Sequence, residues 1–278
     1  MTTKIEWADM VWNPVTGCTK ISDGCANCYA ERMVRRLQKM PGSAEKYRDG
    51  FKVRCHPEEL EHKFGKKPKR IFVPSMGDLF HNEVSDKFIV DVVDVMKQNP
   101  QHTFAVLTKR PERAEKIAGI VMFPPNMWLG VKVENSDNLH RLETLRWTPC
   151  ALRFVSIEPM IGPLSDVTWL PDWVIVGGES GPGARPMHPD WVREIRNRCF
   201  IHSIPFFFKQ WGVWAPEGQW QSYNGSVYGW RNATAQTMDI KHNDKVESFF
   251  RVGKKNAGRL LDGSTWEQVP LEKKSEKM

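Results

Sequence analysis

Short apolar runs recur along most of the chain, and each gives way abruptly to charged residues, glycine or proline. They are Arg70–Asp78 (RIFVPSMGD), Thr103–Arg110 (TFAVLTKR), Met127–Asn135 (MWLGVKVEN), Leu152–Pro159 (LRFVSIEP), Trp173–Ser180 (WVIVGGES) and Pro205–Trp211 (PFFFKQW). Continuous apolar runs of this length fit strands buried on both faces, as in a parallel sheet. Helical patterns lie between them. Ser85 to Gln98 opens on a Ser cap and places Phe88, Ile89, Val92, Val93 and Met96 at helical spacing. Pro111 to Ile117 begins with proline in its first turn. Ser136 to Arg146 spaces Leu139, Leu142 and Leu145 three apart, and Pro189 to His202 gathers Trp191, Val192, Ile195 and Cys199 on one side. Such alternation argues for βαβ units. With a first strand near Met10 to Asn13 and a helix from about Cys28 to Lys39, the count is seven strands. The expected fold is α/β, a full or partial (β/α) barrel over residues 1–213, with its chemistry at the C-terminal ends of the strands.

Those ends are polar: Ser75, Asp78, Thr108, Lys109, Arg110, Glu134, Asn135, Glu158, Glu179, Ser180, Lys209 and Gln210. One charged residue where a strand leaves the core is ordinary; so many in succession suggest a ring around a pocket. After Trp214 the pattern breaks. Trp214 to Asp244 is rich in Gly, Gln, Asn, Ser and Trp and reads as irregular or short antiparallel hairpins, and Arg251 to Pro270 as a compact basic segment. Residues 214–270 are therefore expected to form a small irregular C-terminal extension packed on the barrel, and residues 271–278 a disordered tail.

No stretch approaches the ~20 apolar residues that span a bilayer. The start, MTTKIEWADMVWN, has neither a charged nor an apolar signal region. A cytoplasmic protein with no membrane partner is expected. In a reducing compartment a tight group of cysteines is more often a metal or redox site than a disulfide framework. The net charge of +7 would help hold a polyanion. Short basic runs such as Lys66, Lys67, Lys69 and Arg70 serve equally as solvated surface. The 12 tryptophans pack cores and also suit stacking on bases.

The densest chemistry lies in Trp12–Glu31 (WNPVTGCTKISDGCANCYAE), which places Cys18, Cys25 and Cys28 within eleven residues. Gly17 and Gly24 precede two of them, favouring a tight loop with inward N–H groups that can bond cluster sulfurs. A closed structural zinc site needs four ligands, and Cys55 or His56 is the nearest candidate for the fourth. Ordinary buried thiols or a disulfide are a second possibility. A third is a 4Fe-4S cluster, where three cysteines leave one iron open.

The three cysteines on a loop after a first strand, the last two spaced CxxC with an aromatic beside them, resemble the radical S-adenosylmethionine superfamily. More closely, WNPVTGC, GCANCYAE, LTKRP, SIEPM, GGESG, FFFKQWG and GKKNAGRLLDG resemble a phage-encoded family of three-Cys-motif proteins of unsettled activity. That resemblance implies a partial α/β barrel, a 4Fe-4S cluster on Cys18, Cys25 and Cys28, and bound S-adenosylmethionine. It also implies an electron donor such as flavodoxin or ferredoxin. The commonest superfamily spacing is CxxxCxxC with the aromatic before the last Cys; here six residues separate Cys18 from Cys25, and Tyr29 follows Cys28.

Carried onto this chain, the resemblance assigns the cofactor's amino group to Ser75–Asp78, with Gly77 in the turn and Asp78 as partner, and its ribose to Glu134 and Asn135. Tyr29 becomes a candidate adenine neighbour. Lys109 or Arg110 offsets a carboxylate or substrate phosphate, or else forms a surface turn. Gly177 and Gly178 lack the spacing of a phosphate loop and instead allow close approach of adenine or substrate. Glu158, Glu179, Lys209 and Gln210 are candidate substrate contacts. His81 and His188 read as capping or packing residues and Cys199 as core, while Cys55 and Cys150 stay open as hydrogen-atom donors. A nucleic acid or nucleotide, for DNA repair or base modification, is the first choice of substrate. A peptide or small metabolite, and a zinc-stabilised nucleic-acid-binding protein without catalysis, are the alternatives.

Overall fold

A computed structural model of the chain describes residue 3, residues 5–219 and residues 236–271. Seven parallel strands form one sheet in strict chain order: β1 (Met10–Val11), β2 (Arg70–Val73), β3 (Thr103–Thr108), β4 (Met127–Lys132), β5 (Leu152–Ile157), β6 (Trp173–Gly177) and β7 (Phe206–Gln210). Each pairs only with its neighbours, so the sheet curls into a half-barrel whose first and last strands do not meet. The helices between them are α1 (Tyr29–Leu37), α2 (Asp86–Lys97), α3 (Pro111–Ala118), α4 (His140–Trp147) and α5 (Pro189–Ile201). The alternation of strands and helices read from the sequence is what the chain builds.

Period-2 alternation along the strands separates two cores. Ile71, Val73, Phe104, Val106, Leu129, Val131, Val155, Val174, Val176 and Phe208 pack outward with the helices. The inward set is aromatic: Phe72, Trp128, Phe154, Trp173 and Phe207, joined by Trp7 from the segment before β1. Trp7 meets Phe72 and Trp173 edge-on, at centroid separations of 4.9 and 5.6 Å. These rings plug the bottom of the half-barrel. Gly130 makes room for one of them, since a Cβ there would stand 2.3 Å from Phe154.

Helix α2 begins where expected: Ser85 Oγ accepts the Phe88 N–H at 3.2 Å. Near Ser136 the outcome differs from a single helix. A 3-10 turn at Ser136–Asn138 precedes α4, and Asn138 Nδ2 donates back to Asn135 Oδ1 at 2.7 Å, tightening the turn. Toward the C-terminus, β8 (Trp214–Pro216), β9 (Thr237–His242) and β10 (Lys245–Arg251) form an antiparallel sheet in the order β8-β10-β9. Antiparallel strands do fall within Trp214 to Asp244, but the strand both of them pair with, β10, lies beyond that stretch; residues 220–235 and the tail from 272 lie outside the described residues. Trp266 and Gln268 bond along the free edge of β7, through Phe208 N to Trp266 O at 2.8 Å and Gln268 N to Phe206 O at 3.2 Å. The segment Trp266–Gln268 therefore runs along the outer edge of β7.

Candidate active site

All the parallel strands end on one side, and a cavity of about 390 Å³ lies over those ends. The loop from Gly17 to Cys28 forms its lid. Asn13 sets this up by accepting the N–H groups of Ser75 and Met76 on its Oδ1, at 2.7 and 3.0 Å, which fastens the exits of β1 and β2 together. Gly17 donates to Met76 O at 2.9 Å and Cys18 to Phe51 O at 3.2 Å. Gly17 needs its φ of +81° here, and any Cβ would stand 2.0 Å from Lys52 O. A 3-10 turn at Asp23–Cys25 then brings the chain to Cys28, which caps α1.

Cys18, Cys25 and Cys28 all line the cavity and are all partly exposed. Cations attend two of them. Lys109 Nζ lies 3.2 Å from Cys25 Sγ, and Arg110 Nη1 lies 3.4 Å from Cys18 Sγ. Burial opposes ionisation of Cys25, but the Lys109 ammonium, the Ile21 backbone and the Ser22 hydroxyl overcome it and lower its pKa to about 7. At Cys18, burial and the Asp78 carboxylate outweigh Arg110 and raise the thiol. Among the described residues no three His, Cys, Asp or Glu side chains could share a single metal ion. Neither fourth ligand considered for zinc reaches the cavity. His56 is bonded to Thr16 Oγ1 at 2.8 Å and to Glu58 at 3.1 Å, and Cys55 pairs with Val15 in a short strand. Three thiols lining one cavity, two of them beside cations, suit a multi-iron cluster, in which each thiolate meets its own iron.

Of the residues expected around the pocket, Tyr29, Ser75, Gly77, Asp78, Lys109, Glu158, Gly178, Glu179, Lys209 and Gln210 share the wall with the cysteines. Tyr29 donates its hydroxyl to Ser75 O, and the residue is 42% exposed. Gly178 packs where a Cβ would stand 2.0 Å from Trp211 O. Asp78 accepts from Thr108 Oγ1 at 2.7 Å and from Arg110 Nη1 at 2.9 Å. Arg110, Glu134 and Asn135 do not line the cavity. Arg110 lies behind the wall, joining Asp78, Thr19 and Cys18. Glu134 is wholly buried; Arg141 and Ser22 bond it at 2.9 and 3.0 Å, and Lys109 pairs with it. Asn135 turns to Asp137 and Asn138. His188 caps α5 by accepting from Asp190 N, His81 accepts from Glu83 N and bonds Thr19, and Cys199 is buried core.

Sequence reasoning passed over several participants. Lys132 ends β4 inside the cavity. Arg185 clamps Glu179 at 2.7 Å and also bonds Asp23 O, tying the Cys25 turn to the loop after β6. Burial opposes ionisation of Glu179, yet Arg185 holds its pKa below the usual carboxylate range. Trp7, Phe72, Pro74 and Leu107 give the cavity an apolar side.

Residues 2–270 match the family described as a protein of unknown function, DUF5131. The chain belongs to that family. No curated protein matches it. Among solved structures a mutant spore photoproduct lyase is similar, at 9% identity and a TM-score of 0.40, over 90% of this chain and 70% of that one. A likeness that distant carries no chemistry. No helix among the described residues is long and apolar enough to cross a membrane.

Proposed function

We propose that this member of the family is a radical S-adenosylmethionine enzyme, with a 4Fe-4S cluster on Cys18, Cys25 and Cys28. The observation that carries the reading is the convergence of three thiols from the exit loop of the first strand on one cavity over a half-barrel. When bound, the cluster supplies the electron that cleaves the sulfonium of S-adenosylmethionine into methionine and a 5′-deoxyadenosyl radical, which takes a hydrogen atom from substrate. The protein supplies the setting. Lys109 favours the thiolate form of Cys25 needed for ligation. The Ser75–Asp78 turn, with Asn13 behind it, presents polar groups to the cofactor's amino end. Tyr29 and Gly178 border the cavity beside the cysteines, where adenine contacts are assigned. Glu134 and Asn135 act from behind the wall, holding Lys109 and the Ser136 turn, and the ribose contact is reassigned to the cavity face. Trp7, Phe72 and Leu107 keep water and stray hydrogen-atom donors from the radical.

Nucleic acid is the proposed substrate class, supported by the chain's charge of +7. A base in a duplex would have to leave its stack to reach the cavity. A flavodoxin or ferredoxin is the proposed electron donor. The test is anaerobic reconstitution with iron and sulfide, then measurement of 5′-deoxyadenosine with and without DNA. Product stimulated by DNA supports both parts. Product unaffected by DNA leaves the cleavage chemistry and moves the substrate to a peptide or small metabolite.

A further inference from the structure

Lys132 ends β4 with its side chain on the inner face of the half-barrel, where it lines the cavity. Its neighbours on the next strands form a closed set. Glu158 Oε1 accepts from Lys209 Nζ at 3.0 Å, and its Oε2 accepts from Ser156 Oγ at 3.1 Å. Gly177 faces them closely, and a Cβ there would stand 2.7 Å from Glu158 Oε1. Every other charged side chain on the cavity wall sits in an ion pair. Among the described residues Lys132 Nζ has no hydrogen bond and no ion pair.

An ammonium on a cavity wall with no ion pair of its own is open to an anionic ligand. Burial and the ammonium groups of Lys109 and Lys209 push the Lys132 pKa down, against the pull of Glu158 and Cys28. This local excess of positive charge is relieved by an anion entering the cavity. Such an anion would meet an ammonium that lines the cavity and has no ion pair of its own, an arrangement that favours binding.

We infer that Lys132, with Lys209 beside it, anchors an anionic oxygen group of the substrate, a phosphate or a carboxylate. The facing wall of Trp7, Phe72 and Leu107 takes the flat or apolar remainder of the ligand. The inference rests on the reading of this cavity as the substrate site, and it does not depend on the cluster. A phosphate fits a nucleotide substrate, and a carboxylate fits a peptide or metabolite.

The test is thermal unfolding of the full chain in potassium chloride, phosphate or acetate at equal ionic strength. Wild type should melt higher in phosphate or acetate than in chloride, by roughly 3–6 °C with the anion at ten times its Kd. Which anion acts identifies the group. Lys132→Met should lose that increment, Lys132→Arg should keep it, and Lys132→Met in chloride should melt no lower than wild type. Absence of an increment in wild type, or an increment that survives Lys132→Met, overturns the inference; Lys132→Gln serves if the methionine variant does not fold. Cluster absorbance is measured on the same reconstituted proteins. An anion increment without a cluster removes the proposed chemistry and keeps the anchor, and a cluster without the increment does the reverse.

Discussion

The ammonium of Lys109 stands 3.2 Å from the sulfur of Cys25 and pairs at the same time with the buried carboxylate of Glu134. One side chain from the end of β3 thus links a reactive thiol to the interior. The consequence is measurable in metal-free protein. With its pKa lowered to about 7, Cys25 is mostly thiolate at about pH 8. Burial pushes Cys150 up to about 11 and Cys199 up to about 12, so both stay protonated. Iodoacetamide should label Cys25 at least roughly tenfold faster than either. Its rate should climb between about pH 6 and 8, and Lys109→Met should slow it. Mass spectrometry of labelled peptides reads all three; equal labelling of Cys25 and Cys199 would contradict the geometry.

Arg110 balances Asp78, which is only 4% exposed. Arg110→Ala leaves that carboxylate buried with three remaining donors: Thr108 Oγ1, Phe80 N and Lys109 N. The expected loss of stability is about 3 kcal/mol, the lower end for breaking a buried pair. Chemical denaturation measures it, and a loss below about 1 kcal/mol would show that the pair is solvated.

Gly24 faces a wall that cannot retreat. A Cβ there would stand 2.3 Å from Glu134 Cγ, and Glu134 is held by Arg141, Ser22 and Lys109. Gly24→Ala should cost about 1–3 kcal/mol by overpacking and move the Cys25 turn. Iron incorporation per chain should fall while the far-ultraviolet spectrum of the half-barrel is kept. Unchanged incorporation would mean that the turn adapts.

Asp262 ties the C-terminal extension to α5. Arg193 bonds it at 2.8 Å and Arg196 pairs with it, and against the opposing effect of burial these hold its pKa at about 2. A carboxylate with a depressed native pKa contributes stability that is present above its unfolded value, near 3.8, and is lost as pH falls toward 2. The group is about one-third exposed, so the contribution is at most about 1 kcal/mol after screening. In acid titrations wild type should lose this increment between about pH 4 and 2, and Asp262→Asn should lack it throughout.

How much was legible in the sequence can be followed strand by strand. The apolar runs announced a parallel sheet because both faces of each strand are covered, and the cysteine spacing marked the loop above it. Glu134 shows where that reading stopped short. Its run looks like a strand ending at Asn135, but the ladder ends at Lys132, and Glu134 turns beneath the cysteine turn. Counting by twos from Trp128 through Gly130 would have placed Lys132 inside, since all three share one face. Asn13 and Arg185 gave no local signal. Their partners, Ser75 and Asp23, lie 62 and 162 residues away, and only the folded chain brings them together.

The proposed function stands on Cys18, Cys25 and Cys28 holding a cluster that cleaves S-adenosylmethionine. The most direct measurement is 5′-deoxyadenosine formed by anaerobically reconstituted protein given dithionite and S-adenosylmethionine, compared with the Cys18→Ala/Cys25→Ala/Cys28→Ala triple variant and with Cys150→Ala. Product is expected from wild type and from Cys150→Ala, and none from the triple variant. Reconstituted protein that takes up zinc alone and forms no 5′-deoxyadenosine would contradict it.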